Sequence, residues 1–267
     1  MSKVNMINIT DKTPSNNLEK DFFWETAFRL RDLLGDTSSV KKILFMNYGD
    51  KHDIPPQTVV FMNADEQYRI PEEVNNPNVI KIFKQYCSEG DHHKLYPMPL
   101  GVPVGFNTNK PIPIHEREID VCFIGQLAHN RKEVEDFSKA AAGSDIQSFI
   151  GWTSGFNKGI PRNVYSEIIR NSKIAICPSG TSSSETFRLY EAAVSGCVML
   201  TVEQPKNWIY EDLPAFFYGG GALFPYVESI LGKTGTQLAG YSDESHSFYH
   251  TRWFPRKVAE RLYGELK

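Results

Sequence analysis

Two charged residues, Arg188 and Glu191, stand three positions apart just after a loop of small residues. The loop contains only serine, threonine and glycine: Ser179, Gly180, Thr181, Ser182, Ser183 and Ser184. A guanidinium binds phosphate through paired hydrogen bonds, and a carboxylate accepts hydrogen bonds from hydroxyl groups. In a helix, this spacing places both side chains on one face, which Ser195 shares. The set therefore suits a ligand that carries an anionic group and hydroxyl groups.

The loop connects two short apolar runs, residues 173–177 and 198–202, which predict buried strands. A helix that opens at Glu185 joins them, so the segment is a βαβ unit of a parallel sheet. The loop then lies at the carboxyl end of a strand, beside the free N–H groups and positive dipole end of the helix, where phosphates and carboxylates bind. Apolar side chains on another face of the helix are expected to pack on the sheet: Phe187, Tyr190 and Val194.

A simpler interpretation of the same residues stays open at this point. A serine-rich loop is also a good helix N-cap, and Arg188 with Glu191 is also an ordinary surface ion pair. Motifs of this length do not separate the two interpretations by themselves.

The stretch SKIAICPSGTSSSETFRLYEAAVSGCVML, residues 172–200, resembles the nucleotide-sugar-binding core of the exostosin-like glycosyltransferases. In that family, a strand ending in Cys-Pro leads to a polar loop, then Ser-x-x-x-Arg-x-x-Glu-Ala and Gly-Cys. Those places are held here by Ser184, Arg188, Glu191, Ala192, Gly196 and Cys197. FIGQLAHNR, with Gly125 and Arg131, is similar to the strand, glycine turn and arginine that begin the same domain. Residues 96–106 are similar to the segment that enters it.

The resemblance implies an α/β fold with two Rossmann-like domains facing across a cleft (the GT-B type) and a last helix that returns to the first domain. Alternating short β and α patterns favour an α/β first domain independently. The proline-rich, polar segment 107–118 predicts a linker. The expected parts are an acceptor-side domain at 1–110, a nucleotide-sugar-binding domain at 118–250 and a C-terminal helix at 251–267.

Apolar periodicity and glycine or proline punctuation predict the other elements. Strands are expected at 4–9, 41–46, 58–62, 79–83, 96–100, 120–125 and 147–150, and helices at 16–34, 131–142 and 162–170. Residues 208–218 are interpreted as an aromatic loop, and residues 242–266 as helical with a break at Pro255.

Composition describes a soluble globular protein of 267 residues with 40% hydrophobic residues and a net charge of −3. This charge gives no reason to expect a nucleic-acid partner. The first residues turn polar within ten positions, and no apolar run approaches the roughly 18 residues of a membrane span. We therefore expect a cytoplasmic protein, or a soluble catalytic domain excised from a larger one.

Four scattered cysteines are predicted to be buried free thiols: Cys87, Cys122, Cys177 and Cys197.

Several cofactors and metals are excluded by motif. The chain has neither GxxxxGK[ST] nor a GxGxxG after a strand, so it lacks the usual nucleotide loops. No two aspartates stand two positions apart, so the metal clamp of the other large glycosyltransferase fold is absent. We expect no metal and no cofactor beyond the nucleotide-sugar substrate. Arg131 and Arg188, with helix N-termini, would then offset the diphosphate charge.

The resemblance implies transfer of a sugar from a nucleoside diphosphate sugar, with UDP favoured, to a hydroxyl of a glycan or glycoconjugate, with inversion at the anomeric carbon. Arg188, Arg131 and the serine loop would steady the leaving diphosphate, Glu191 would accept from the ribose hydroxyls, and Trp152 would offer a face to the base. Inversion needs a general base from the first domain. Acids that follow predicted strand ends there are Asp50, Asp53, Asp65 and Glu66, of which Asp65 or Glu66 is preferred.

Two other functions stay open. A nucleotide-sugar epimerase could use the same two-domain frame, with acid and base groups around the donor alone. The chain could also be a non-catalytic nucleotide- or glycan-binding domain of a larger synthase.

Overall fold

The computed structural model describes residues 7–13, 18–35, 38–63, 66–126, 131–155 and 158–267. The chain forms two compact units. The first contains Met1–Val104, Lys206–Glu211 and Arg252–Lys267, and the second contains Gly105–Pro205 and Asp212–Thr251. Each unit has its own five-stranded parallel sheet, which confirms the predicted α/β fold with two Rossmann-like domains.

The strands are β1 Asn8–Asp11, β2 Lys42–Asn47, β3 Thr58–Asn63, β4 Val79–Lys84, β5 Leu95–Pro97, β6 Ile119–Gln126, β7 Ser148–Thr153, β8 Ser172–Cys177, β9 Val198–Thr201 and β10 Ala215–Phe217. The α-helices are α1 Lys20–Leu34, α2 Lys132–Ala141, α3 Arg162–Arg170, α4 Phe187–Val194, α5 Phe224–Leu231, α6 Gly235–Phe248 and α7 Pro255–Gly264. A π-helical turn, Tyr249–Trp253, lies between α6 and α7.

The first sheet has its strands in chain order, β1-β2-β3-β4-β5. A row of phenylalanine rings covers one face: Phe23 of α1 lies 5.6 Å from Phe45, which lies 5.6 Å from Phe61, and Phe61 lies 5.7 Å from Phe83. These distances lie in the range where aromatic pairs attract one another. Helix α7 packs against α1, so the last helix does return to the first unit.

A short segment that the sequence analysis placed in the second domain lies in the first unit. Within Lys206–Glu211, the indole of Trp208 donates to the carbonyl of Pro97 at 3.0 Å. The indole of Trp253 donates to the carbonyl of Ile209 at 2.8 Å. These long-range bonds leave no periodic signal in the sequence.

The second sheet has the order β10-β9-β8-β6-β7. The chain enters at β6, moves outward to β7, and then crosses back to add β8, β9 and β10 on the other side of β6. The direction of strand addition therefore reverses between β6 and β8. In open α/β sheets, ligands bind beyond the carboxyl ends of the strands at such a switch point.

Among the predictions for the second unit, three are wrong for a reason that the structure shows. Residues 208–218 include a strand, β10, which pairs with β9 although it is only three residues long. Helix α6 begins at Gly235 rather than 242, because Thr234 caps it with a full capping box. Helix α4 begins at Phe187 rather than Glu185, because Thr186 keeps an extended backbone and serves as the N-cap.

The four cysteines are buried free thiols, as predicted. Within the described ranges, no helix has both the length and the apolar character that crossing a bilayer requires.

Candidate functional site

The small-residue loop after β8 is held in one shape by its own polar groups. The N–H of Gly180 donates to the carbonyl of Ser183 at 2.7 Å, and the hydroxyl of Ser183 accepts from the N–H of Glu185 at 3.0 Å. The amide of Gln204, which follows β9, donates to the carbonyl of Ser184 at 3.2 Å. The N–H of Glu185, at the end of the loop, is therefore already bound by the Ser183 hydroxyl. Thr181 and Ser182 at the tip are exposed, whereas Ser179 and Ser184 are half-buried.

Arg131 ties the end of β6 to this loop across the switch point. Its Nε and Nη2 donate to the carbonyl of Ser179 at 3.2 and 3.1 Å, and its Nη1 donates to the carbonyl of Gln126 at 2.9 Å. The side chain is buried, and charge-assisted bonds to carbonyl oxygens offset its desolvation. Arg131 thus fixes the loop and places a positive charge beside it.

Arg188 reaches the same point from α4. Its Nη2 donates to the carbonyl of Ile124 on β6 at 2.8 Å, and its guanidinium carbon lies 4.6 Å from the centre of the Phe123 ring. Its Nε is buried, and no group of the described residues forms a hydrogen bond with it. A buried donor left unpaired costs free energy, and a bound anion beside the guanidinium would offset that cost.

Gly125 makes room for both guanidinium groups. A Cβ atom at this position would lie 2.7 Å from Nη2 of Arg188, 3.0 Å from Cζ of Phe123 and 3.4 Å from Nη1 of Arg131. The first distance is shorter than real Cβ contacts, so no larger residue fits without moving Arg188. The glycine is therefore required by close packing, and its position beside two arginines follows only from the fold.

Trp152 lies at the carboxyl end of the edge strand β7, in register with Gly125. Its ring is 5.4 Å from that of Phe123, and 39% of the residue is exposed. The exposed part of the ring leaves a surface on which a planar base could stack. Phe123 thus contacts Trp152 and both arginines.

Glu191 is buried, with 4% of the residue exposed, and its Oε2 accepts a hydrogen bond from the hydroxyl of Tyr165. The interpretation of Arg188 and Glu191 as an ordinary surface pair is therefore wrong, because helix α4 is covered on this side too. Burial raises the pKa of Glu191, against the opposing effects of the Tyr165 hydrogen bond and of the positive charges of Arg188 and Arg162. The sequence did not predict Tyr165 as a site residue, because no local pattern in α3 indicates a contact with Glu191 of α4, 26 positions away.

The proposed general bases belong to the first unit. Asp50 follows β2, has a side chain 41% exposed, and accepts from Nδ2 of Asn47 at 2.9 Å. Glu66 follows β3 and is half-buried, and Asp53 is exposed. Asp65 lies outside the described residues. Among the residues that are described, no group of three or more histidine, cysteine or acidic side chains is placed to hold a metal ion.

No protein-family model matches this chain, and no curated protein matches it by sequence. Solved structures do match. The chain superposes on the GtfA/B complex with a TM-score of 0.54 at 11% identity, covering 93% of this chain and 60% of that one. An α1,3-fucosyltransferase with GDP gives 0.52 at 9% identity, covering 97% and 90%, and a glycosyltransferase from Rickettsia africae gives 0.50 at 11%, covering 100% and 99%.

The chain thus spans about three-fifths of the GtfA/B chain that it matches and most of the other two. At this level of identity, the likeness concerns the fold. The paired parallel sheets and these superpositions show that the chain has the two-domain fold of the GT-B glycosyltransferases.

Proposed function

We propose that this protein is a glycosyltransferase that moves a sugar from a nucleoside diphosphate sugar, with UDP favoured, to a hydroxyl of a glycan or glycoconjugate. The observation that carries the proposal is the meeting of two guanidinium groups and a serine loop at the switch point of the second sheet. A GT-B fold and the exostosin-like motif around Arg188 and Glu191 support it.

The positive charges are suited to stabilising a leaving nucleoside diphosphate. As the bond to the sugar breaks, negative charge builds on the diphosphate, and preorganised donors stabilise that charge most in the transition state. Arg188, whose Nε has no hydrogen-bond partner among the described residues, is proposed to contact the diphosphate directly. Arg131 contributes charge and holds the loop, because three of its nitrogens already donate to carbonyl groups.

Glu191 and Trp152 are proposed to bind the nucleoside. A carboxylate accepts hydrogen bonds from ribose hydroxyls, and an exposed indole face stacks on a base. The exposed tip of the loop, Thr181 and Ser182, is proposed to donate to the phosphates together with Ser179 and Ser184.

The acceptor hydroxyl needs a base to remove its proton as it attacks the anomeric carbon. Asp65, Glu66 and Asp50 of the first unit are the proposed bases, with inversion as the stereochemical result. The reaction is proposed to need no metal, since arginines take the place of a cation beside the diphosphate.

Binding and turnover of two variants test this function. UDP-, GDP-, dTDP- and CMP-sugars are first screened by thermal shift, and a bound nucleotide should stabilise by about 2.7 kcal/mol at 100 times its dissociation constant. With the best donor, Arg188→Ala should lower turnover about a hundredfold, the scale of losing one transition-state donor. Glu191→Gln should chiefly raise the Michaelis constant, because ribose hydroxyls do not change charge during transfer.

Arg256→Ala is the matched control, since Arg256 is an exposed arginine of α7 that pairs with Glu260. It should leave binding and turnover unchanged. Folded Arg188 and Glu191 variants that bind and turn over like the wild type would contradict the site. Donor binding without transfer over a panel of acceptors would favour a binding domain, and conversion of the donor sugar alone would favour an epimerase.

A further inference from the structure

A tyrosine of helix α3 forms a hydrogen bond with one oxygen of the Glu191 carboxylate. The Tyr165 hydroxyl donates to Oε2, and no hydrogen bond to Oε1 comes from the described residues. The two residues are 26 positions apart and belong to different helices. The contact therefore fixes the rotation of the carboxylate and leaves both lone pairs of Oε1 to accept from a ligand.

The Tyr165 ring is itself held in place. Phe106, which is buried, packs edge-on against it, with ring centres 5.9 Å apart and planes at 71°. Helix α3 supports this geometry by packing on α4, β6 and β8. Removing only the hydroxyl would leave this apolar packing unchanged, so the hydrogen bond can be tested separately from the fold.

The groups that face Glu191 come from three elements. Tyr165 and Arg162 lie on α3, Arg188 lies on α4, and Cys177 lies on β8. Burial raises the pKa values of Tyr165 and Cys177 well above their ordinary values, so both stay protonated near neutral pH. Arginines stay charged. Burial raises the pKa of Glu191 and the Tyr165 hydrogen bond lowers it, so Glu191 is the group of this set whose charge the tyrosine hydroxyl can alter.

We propose that Tyr165 is a positioning residue of the nucleotide site, whose hydroxyl orients the Glu191 carboxylate so that Oε1 accepts from the ribose hydroxyls. This inference rests on the proposed function. A carboxylate in so dry a place needs donors to remain charged, and Tyr165 is one that persists when the ligand leaves. A ligand that lacks a ribose hydroxyl would leave Oε1 with fewer hydrogen bonds, so the site should bind ribonucleotides more tightly than deoxyribonucleotides.

The test compares Tyr165→Phe with the wild type, using UDP and GDP as probes and continuing with the tighter one. Affinity is measured by calorimetry from pH 6 to pH 9, with the 2′-deoxy form of the same nucleotide alongside. Without the tyrosine donor, protonated Glu191 persists to higher pH. The variant should therefore bind about tenfold more weakly than the wild type at the acid end of this range, the scale of one hydrogen bond to a charged group, and the difference should shrink as pH rises. Its preference for the ribonucleotide should shrink.

Two further variants make the result specific. Tyr241→Phe removes a hydroxyl from another tyrosine of the second unit whose ring packs edge-on against Phe216 at 5.0 Å, and it should leave the pH profile unchanged. In a Glu191→Gln background, Tyr165→Phe should no longer alter the pH dependence, because the amide does not titrate.

The outcomes separate this inference from the function on which it rests. Wild-type binding together with an unchanged pH profile and ribose preference in Tyr165→Phe would overturn the positioning role alone. A pH-independent loss that persists in the Glu191→Gln background would also overturn it, as a packing effect. Failure of the wild type to bind UDP and GDP would overturn this inference, and failure with all four screened donors would overturn the proposed function as well.

Discussion

Gly125→Ala should weaken nucleotide binding although it adds a single methyl group. The new Cβ would lie 2.7 Å from Nη2 of Arg188, so the guanidinium must retreat by about 0.7 Å to reach the 3.4 Å of ordinary van der Waals contact. That movement disturbs the 2.8 Å bond to the Ile124 carbonyl. A hydrogen bond from a charged donor contributes about 1.5–3 kcal/mol. If the same displacement takes Arg188 from the diphosphate, affinity should fall roughly 10- to 100-fold.

Stability should fall as well, because Cζ of the fully buried Phe123 would lie 3.0 Å from the added carbon. Overpacking of this kind costs about 1–3 kcal/mol. Calorimetric titration with UDP and chemical denaturation measure the two effects separately. Gly151→Ala, on the adjacent strand β7, is the matched control: its added carbon would lie 3.3 Å from side-chain atoms of Ile124 on β6 and Phe149 on β7, and neither guanidinium is among its nearest atoms. It should reduce stability and leave affinity nearly unchanged.

A double-mutant cycle decides whether Arg188 transmits the effect. In an Arg188→Ala background the guanidinium is gone, so Gly125→Ala should have almost no further effect on affinity. The reasoning would be refuted by a folded Gly125→Ala protein that binds nucleotide as tightly as the wild type. Losses that simply add in the double variant would refute the proposed route through Arg188.

Two other predictions concern pH and metal. Glu19 is buried, and burial raises its pKa to about 7 from 4.5. The contribution of Glu19 to the free energy of unfolding is fully present below pH 4.5 and is lost as pH rises through 7, where the buried carboxyl ionises. Glu19→Gln should therefore raise the free energy of unfolding at pH 8 by up to about 3 kcal/mol and have little effect at pH 4. Equal denaturation midpoints for the two proteins at pH 8 would contradict this. Glycosyl transfer should persist in EDTA after dialysis, and a strict requirement for Mn²⁺ would contradict the proposed metal-free stabilisation by arginine.

Local patterns in the sequence were enough to predict much of the secondary structure. Helix α3 has the predicted bounds, Arg162–Arg170, because its apolar periodicity and the preceding Pro161 act within a few residues. Strand β8 begins only one residue before the predicted position. The prediction was close because a short isoleucine-rich run next to a proline is a strong strand signal. The short β10 was missed because its partner strand, not its own sequence, makes Ala215–Phe217 a strand.

The sequence by itself determined the α/β class and the presence of an arginine, a glutamate and a serine loop on one βαβ unit, because these depend on neighbours along the chain. Only the tertiary structure decided how these groups are arranged and which of them are buried. Arg131 is joined to Ser179, 48 positions away, and Glu191 is buried under Tyr165 from another helix. These arrangements depend on which strands lie side by side at the switch point, and that order is set by long-range packing rather than by any local pattern.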